Sequence, residues 1–185
     1  HPTFLPDKAI DIADFVAIGE VDLAVIEFFE RLRDGRSVRD CPGFWVREGD
    51  RIYKNELAPL ADLDEVPFRD FHTQDDKFHI EAGSVTRGDP FITNPEYTTM
   101  ASRGCPYWTC TFCSNTLTKP LYEGLGKSFR MRSVENIIQE MEYATKLCTN
   151  IKVVRFDDEV FPIRKQWIEE FAEKWPKRVG IPFEV

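Results

Sequence analysis

Ser133 to Glu159 reads SVENIIQEMEYATKLCTNIKVVRFDDE. Its first half is periodic. Val134, Ile137, Ile138, Met141 and Leu147 recur at three- and four-residue intervals, which predicts an amphipathic helix. Ser133 suits the N-cap, and Glu135 sits in the first turn, where a carboxylate meets the positive end of the helix dipole. The second half changes character. Residues 151–156 (IKVVRF) predict a strand, and Asp157, Asp158 and Glu159 follow at its C-terminal end. Downstream the alternation continues: Trp167, Ile168, Phe171, Ala172 and Trp175 mark a second helix, and residues 181–185 begin a third strand. Upstream, residues 97–101 (YTTMA) read as the first strand. Strand–helix–strand–helix–strand predicts a parallel sheet or an incomplete barrel. Chemistry in such sheets collects at the C-terminal ends of strands. The loop after residue 101 and the acidic triplet both fall at that edge.

That loop runs SRGCPYWTCTFCSN from Ser102 to Asn115. Cys105, Cys110 and Cys113 are three closely spaced thiols, soft ligands suited to an iron–sulfur cluster or zinc. Three sulfurs wrapped around one face of a cubane leave a fourth iron without a protein ligand, free to chelate a small molecule through nitrogen and oxygen. A structural zinc site wants a fourth ligand, which Cys148 or His72 would have to supply. Zinc ribbons generally pair short-spaced cysteines, however, and here there is one group of three. Inert buried thiols would not be expected to cluster beside glycine, proline and aromatics. A c-type haem is excluded because Ser114, not histidine, follows Cys113.

Composition narrows the class. With 42% hydrophobic and 13% aromatic residues the chain folds rather than remaining disordered. A formal charge of -8 argues against nucleic acid as the main partner, since binding phosphates needs a basic face. No stretch approaches the roughly 20 apolar residues that span a bilayer, so no membrane partner is expected. Nor is there a basic-then-apolar secretory signal. Five cysteines in 185 residues are too few for a disulfide scaffold, and their clustering suggests metal binding in a reducing compartment, the cytoplasm by default. The chain opens on His1 and stops inside an apolar run (Ile181, Phe183, Val185), so a segment of a longer protein is expected.

The first 95 residues are less regular. Residues 13–18 (ADFVAI) form an apolar run ending in Gly19-Glu20, which fits a buried strand entering a turn. Residues 22–33 place Leu23, Ile26, Phe29 and Leu32 at helical spacing, with Asp22 at the start and Gly35 as C-terminal cap. Between residues 36 and 95, scattered Pro42, Pro59, Pro67, Pro90 and Pro95 predict an extended connector carrying one hairpin near Glu48-Gly49-Asp50.

Residues 97–115, with SRGCPY and CTFCSN, closely resemble the cluster loop of radical S-adenosylmethionine enzymes. The subgroup most similar carries an N-terminal cobalamin-binding domain. RMRSVENIIQEM, VVRFDDEVF and the upstream HPTFLPD and ADFVAIGE also resemble that subgroup. The resemblance implies an α/β fold in three parts. Residues 1–40 would be the tail of a Rossmann-like cobalamin-binding domain, 41–95 a connector, and 96–185 the first β/α units of a radical S-adenosylmethionine partial TIM barrel. It further implies that Cys105, Cys110 and Cys113 ligate a [4Fe-4S] cluster whose open iron binds S-adenosylmethionine. Reductive cleavage would then release a 5′-deoxyadenosyl radical. Phe112 would pack near the adenine, with ordinary core packing as its other reading. Asp157 and Asp158 would hold the cofactor's ammonium group, with an acidic helix-capping turn as the alternative.

Arg130 and Arg132 would meet a carboxylate or the cluster's charge, or else lie on the surface. His1, Gly19 and Glu20 would line the nucleotide tail of cobalamin in the full-length protein, although Val21-Asp22 replaces the Gly-Glu that the subgroup commonly carries next. One departure concerns the cluster itself. Four residues, Pro106 to Thr109, separate Cys105 from Cys110 where the superfamily has three, the extra one falling at Trp108-Thr109. The implied partners are a small-molecule substrate and an electron donor such as flavodoxin or ferredoxin. The implied chemistry is cobalamin-dependent methyl transfer, a transferase activity, or rearrangement. The alternative from a different class is a non-catalytic structural module holding zinc or an iron–sulfur cluster.

Overall fold

The computed structural model describes residues 2–71, 77–107 and 110–185. By internal contacts the chain divides into two units, His1–Val66 with Leu117–Ser128 and Pro67–Thr116 with Phe129–Val185.

The first unit opens with α1 (Pro6–Ile10), β1 (Phe15–Ala17) and α2 (Ala24–Arg33), followed by the hairpin β2 (Phe44–Glu48) and β3 (Arg51–Lys54). The three strands form an antiparallel meander in the order β1-β2-β3, with Val16 opposite Trp45 and Glu48 opposite Arg51. Helix α2 ends as its sequence predicts: Gly35 adopts φ 66°, and the Arg36 amide closes on the Arg31 carbonyl at 2.8 Å. Its start differs from expectation. Leu23 occupies the N-cap position without a side-chain cap, one residue after Asp22. Phe28 of α2 stacks on Phe44 of β2 with ring centroids 4.0 Å apart, and these two rings centre a core with Val38, Cys41 and Val46.

The second unit begins with a hairpin, β4 (Phe78–Glu81) and β5 (Ser84–Arg87), turning at Ala82 and Gly83, both with positive φ. Two such residues make a type I′-like turn that suits strand twist. The stretch 41–95 thus carries two hairpins. The one near Gly49 was legible; this one lacks the Asn-Gly or Asp-Gly signal. Then come β6 (Glu96–Thr99), β7 (Ser102–Arg103), α3 (Asn115–Leu121, whose residues from Leu117 on belong to the first unit), β8 (Arg130–Met131), α4 (Val134–Leu147), β9 (Val153–Phe156), α5 (Lys165–Arg178) and β10 (Phe183–Glu184). The strands β10-β9-β6 form the expected parallel sheet, with Thr99 opposite Phe156 and Phe183 opposite Val154. Ser133 caps α4 by accepting from the Asn136 amide at 3.1 Å.

Alternation decides what each sheet face does. Tyr97, Val154 and Phe156 point to the helices and join Ile137, Ile138, Met141, Trp167, Phe171 and Trp175 in one core. Trp167 stacks on Phe171 and Phe171 on Trp175, with centroids 5.1 and 4.9 Å apart. The opposite face is ionic. Arg155 lies 3.0 Å from Glu96 and 3.6 Å from Glu184, a charged row across all three strands.

Candidate functional site

The site is built where the parallel ladder stops. Its last described main-chain bond runs from the Asp157 amide to the Thr99 carbonyl, at 2.9 Å. Beyond it, β6 continues into β7, which pairs with β8 on one side only: Ser102 opposite Met131 and Arg103 opposite Arg130. The outward amides on the other side are taken by side chains from the acidic triplet. Asp158 Oδ2 accepts from the Ala101 amide at 3.1 Å, and Oδ1 accepts from the Ser102 amide. Glu159 Oε2 accepts from the Gly104 amide at 3.3 Å, and the Ser102 hydroxyl donates to the Val160 carbonyl at 2.7 Å. Burial pushes the Asp158 carboxyl above the ordinary carboxylate value, with the neighbouring Glu159 charge adding to it. The donors from Ala101 and Ser102 pull the other way without cancelling it. Asp157 is exposed.

Gly104 turns the chain with φ 84°, a conformation that disfavours any side chain, and Cys105 follows immediately. At the other end of the loop the chain tightens again. The Cys113 amide bonds the Cys110 carbonyl at 3.2 Å, and the Thr116 hydroxyl bonds that same carbonyl at 2.7 Å, leading into α3. Cys105 and Cys113 are half-buried, Cys110 is exposed, and all three thiols are free. Phe112 is 92% exposed, so the core-packing reading of its ring does not hold. Trp108 and Thr109, where the extra residue falls, lie outside the described residues, as do His1 and His72.

The donor set fits an iron–sulfur cluster in chemistry: three free thiols on one loop. The sulfurs are not drawn together. Among the described residues, no three Cys, His, Asp or Glu side chains are gathered so as to hold a metal ion. Cys148, the candidate fourth zinc ligand, is buried in the helix-packed core, and burial pushes its thiol pKa up.

Gly19 and Glu20 belong to the first unit. The Gly19 amide donates to Thr3 Oγ1 at 3.1 Å. A Cβ there would stand 2.9 Å from Leu57 Cδ2 and 3.2 Å from the Tyr122 hydroxyl oxygen, so close packing as well as a φ of 74° requires glycine. Glu20 is half-buried beside it.

One residue escaped the sequence reading. Glu140 is buried in α4, where it accepts from the Tyr97 hydroxyl at 2.8 Å, Thr99 Oγ1 at 2.9 Å and Arg132 Nη1 at 2.6 Å. Arg132 also donates to the Met100 carbonyl at 3.0 Å, and of the expected partners it meets a carboxylate, that of Glu140, rather than lying on the surface. The signal for Glu140 was available: it stands three residues after Ile137 and four before Ala144, on the apolar stripe of the helix. The network fastens β6 and the chain just after it to α4.

No family model and no curated protein matches this chain. Solved structures do. The chain matches the cobalamin-dependent S-adenosylmethionine radical enzyme OxsB with aqua-cobalamin and S-adenosylmethionine bound, with a TM-score of 0.64 and 18% identity over 98% of this chain and 24% of that one. The form with aqua-cobalamin alone gives 0.64 and 19%, and the apo form 0.63 and 19%. The chain therefore has an α/β fold shared with part of a cobalamin-dependent radical S-adenosylmethionine enzyme. It spans about a quarter of the length of that enzyme. No helix among the described residues is long and apolar enough to cross a membrane.

Proposed function

We propose that the chain is part of a radical S-adenosylmethionine enzyme in which Cys105, Cys110 and Cys113 ligate a [4Fe-4S] cluster. The whole protein would use cobalamin for methyl transfer or rearrangement of a small-molecule substrate, with a flavodoxin or ferredoxin as electron donor. One observation carries this reading: the three-cysteine loop leaves the C-terminal end of a parallel strand in a fold shared with OxsB, and the acidic triplet ends the neighbouring strand at the same edge.

The roles of this chain's own residues follow from their chemistry. The three thiols lose their protons to become ligands, and the loop draws them together as it loads. Asp157 is exposed and, unlike Asp158 and Glu159, has a carboxylate not engaged by a described main-chain amide, so it suits a charge-assisted hydrogen bond from the ammonium of S-adenosylmethionine. The outward ring of Phe112 offers a face to the adenine. The cluster, when bound, supplies the electron that cleaves the carbon–sulfur bond of S-adenosylmethionine. Gly19 and Glu20 support cobalamin binding only as part of the longer protein.

The test is anaerobic reconstitution with iron and sulfide, followed by metal analysis and electron paramagnetic resonance with and without S-adenosylmethionine. About four irons per chain and a reduced-cluster signal that shifts on adding the cofactor are expected. A colourless chain holding zinc would instead establish the structural metal-binding reading.

A further inference from the structure

We infer that Asp158 and Glu159 are positioning residues that stand in for a missing strand segment and set the course of the cysteine loop. Asp157 is then the carboxylate of the triplet that takes no described main-chain amide and is offered to a ligand. The inference rests on the proposed function for what the loop holds, but the clamp itself is a property of the unloaded chain.

A parallel ladder supplies each strand with acceptors from its neighbour's carbonyls. Between β6 and β9 that supply ends at the pair Thr99 and Phe156. The amides of the buried Ala101 and Ser102 lie past this point and still need acceptors, because a main-chain donor turned away from water without one is costly, and the less buried Gly104 amide follows them. The chain after β9 meets the need with side chains. Asp158 takes two successive amides, one on each carboxylate oxygen, and Glu159 takes the amide of Gly104. The Ser102 hydroxyl returns a bond to the Val160 carbonyl, so residues 158–160 and 101–104 are stitched in both directions. On the far side, the Arg132 amide holds the Ala101 carbonyl at 2.8 Å. The segment entering the loop is therefore fixed from both flanks up to Gly104, whose positive φ then aims Cys105.

This arrangement divides labour within the triplet. Both oxygens of Asp158 already accept main-chain amides, and the side chain is half-buried. Asp157 contributes its amide to the ladder and leaves its carboxylate exposed. The sequence alone does not separate the two aspartates; the end of the ladder does.

Asp158→Asn is the informative change. A carboxamide keeps one acceptor but presents an NH2 to the other amide, where donor faces donor. Amide hydrogen exchange on the metal-free chain reads the clamp directly. Exchange at Ala101 and Ser102 is expected to speed up by about tenfold to a hundredfold in Asp158→Asn, the loss that one or two charge-assisted bonds imply. Asp157→Asn should leave it unchanged, as should α4 amides such as Ile138 in either variant. Unaltered exchange at Ala101 and Ser102 in Asp158→Asn would overturn the inference. If Asp158→Asn loosens α4 as well, Glu159→Gln decides, with faster exchange confined to the Gly104 amide supporting the clamp and no change refuting it.

Metal uptake then reads the positioning role. Groups that orient a ligand shell typically alter metal affinity by roughly tenfold or more. Asp158→Asn is expected to load iron with about tenfold weaker affinity, whereas Asp157→Asn loads normally and loses the shift caused by S-adenosylmethionine. Equal loading by Asp158→Asn and wild type refutes positioning. A wild-type chain that takes up no iron refutes the proposed function instead and leaves the exchange result to decide the clamp.

Discussion

Arg132 Nη1 lies 2.6 Å from Glu140 Oε2, with only 12% and 9% of their side chains exposed. Such a pair contributes little net stability over an apolar substitute, but removing one partner strands a buried charge. Arg132→Met should therefore destabilise the chain by about 3–5 kcal/mol, and the Arg132→Met/Glu140→Leu double variant should recover much of the loss. Urea unfolding followed by near-ultraviolet circular dichroism measures both. Simple addition in the double variant of the losses of Arg132→Met and of Glu140→Leu alone would show that the pair is not coupled.

Tyr97 extends the same network and gives it a pH signature. Burial, and then the charge of Glu140, push the Tyr97 hydroxyl far above the ordinary tyrosine value. A raised folded value means that the unfolded chain releases the proton first. Stability is then fully present below about pH 10 and falls as pH rises beyond it. Tyr97→Phe should cost about 1–3 kcal/mol at neutral pH, because Glu140 Oε1 loses a donor, yet flatten the alkaline decline. An identical decline in wild type and variant would assign that decline to other groups.

Sequence periodicity was most informative where burial is one-sided. Ile137, Ile138 and Met141 name the buried face of α4, and Trp167, Phe171 and Trp175 name that of α5, since only residues on one stripe meet the sheet. The parallel order followed from that alternation. The β4–β5 hairpin escaped because its strands are exposed and carry no inward-outward contrast: Phe78, Ile80 and Val85 all face solvent. At the site, the cysteine loop was legible from residue types, whereas the division between Asp157 and Asp158 depends on where a ladder runs out. That quantity is three-dimensional, and no local pattern encodes it. Glu140 was legible in principle, but a single acid on an apolar stripe is outvoted by its neighbours in any periodicity count.

Gly19 and Gly35 separate two costs of replacing glycine. Both have positive φ, 74° and 66°. A Cβ at Gly35 meets nothing within 4 Å, so Gly35→Ala should cost only the backbone preference, about 1 kcal/mol. At Gly19 the same strain is joined by a Cβ 2.9 Å from Leu57 Cδ2, and the loss should be larger by about 1–3 kcal/mol. Thermal unfolding of the two variants side by side makes the comparison. Equal shifts would mean that Leu57 and Tyr122 give way freely.

Phe112 offers the cleanest separation of binding from folding. Its ring is 92% exposed, so Phe112→Ala removes almost no buried surface and should change stability by no more than about 0.5 kcal/mol. If the ring covers the adenine of S-adenosylmethionine, the same change removes a stacking face worth about 1–3 kcal/mol, or roughly tenfold to a hundredfold in affinity. The measurement is calorimetric titration of the reconstituted chain with S-adenosylmethionine, with iron content checked in parallel, because Phe112 stands next to Cys113. Weakened binding at unchanged iron content supports the adenine contact. Unchanged affinity removes Phe112 from the cofactor site, and weakened binding accompanied by lost iron assigns the residue to the integrity of the Cys110–Cys113 turn instead.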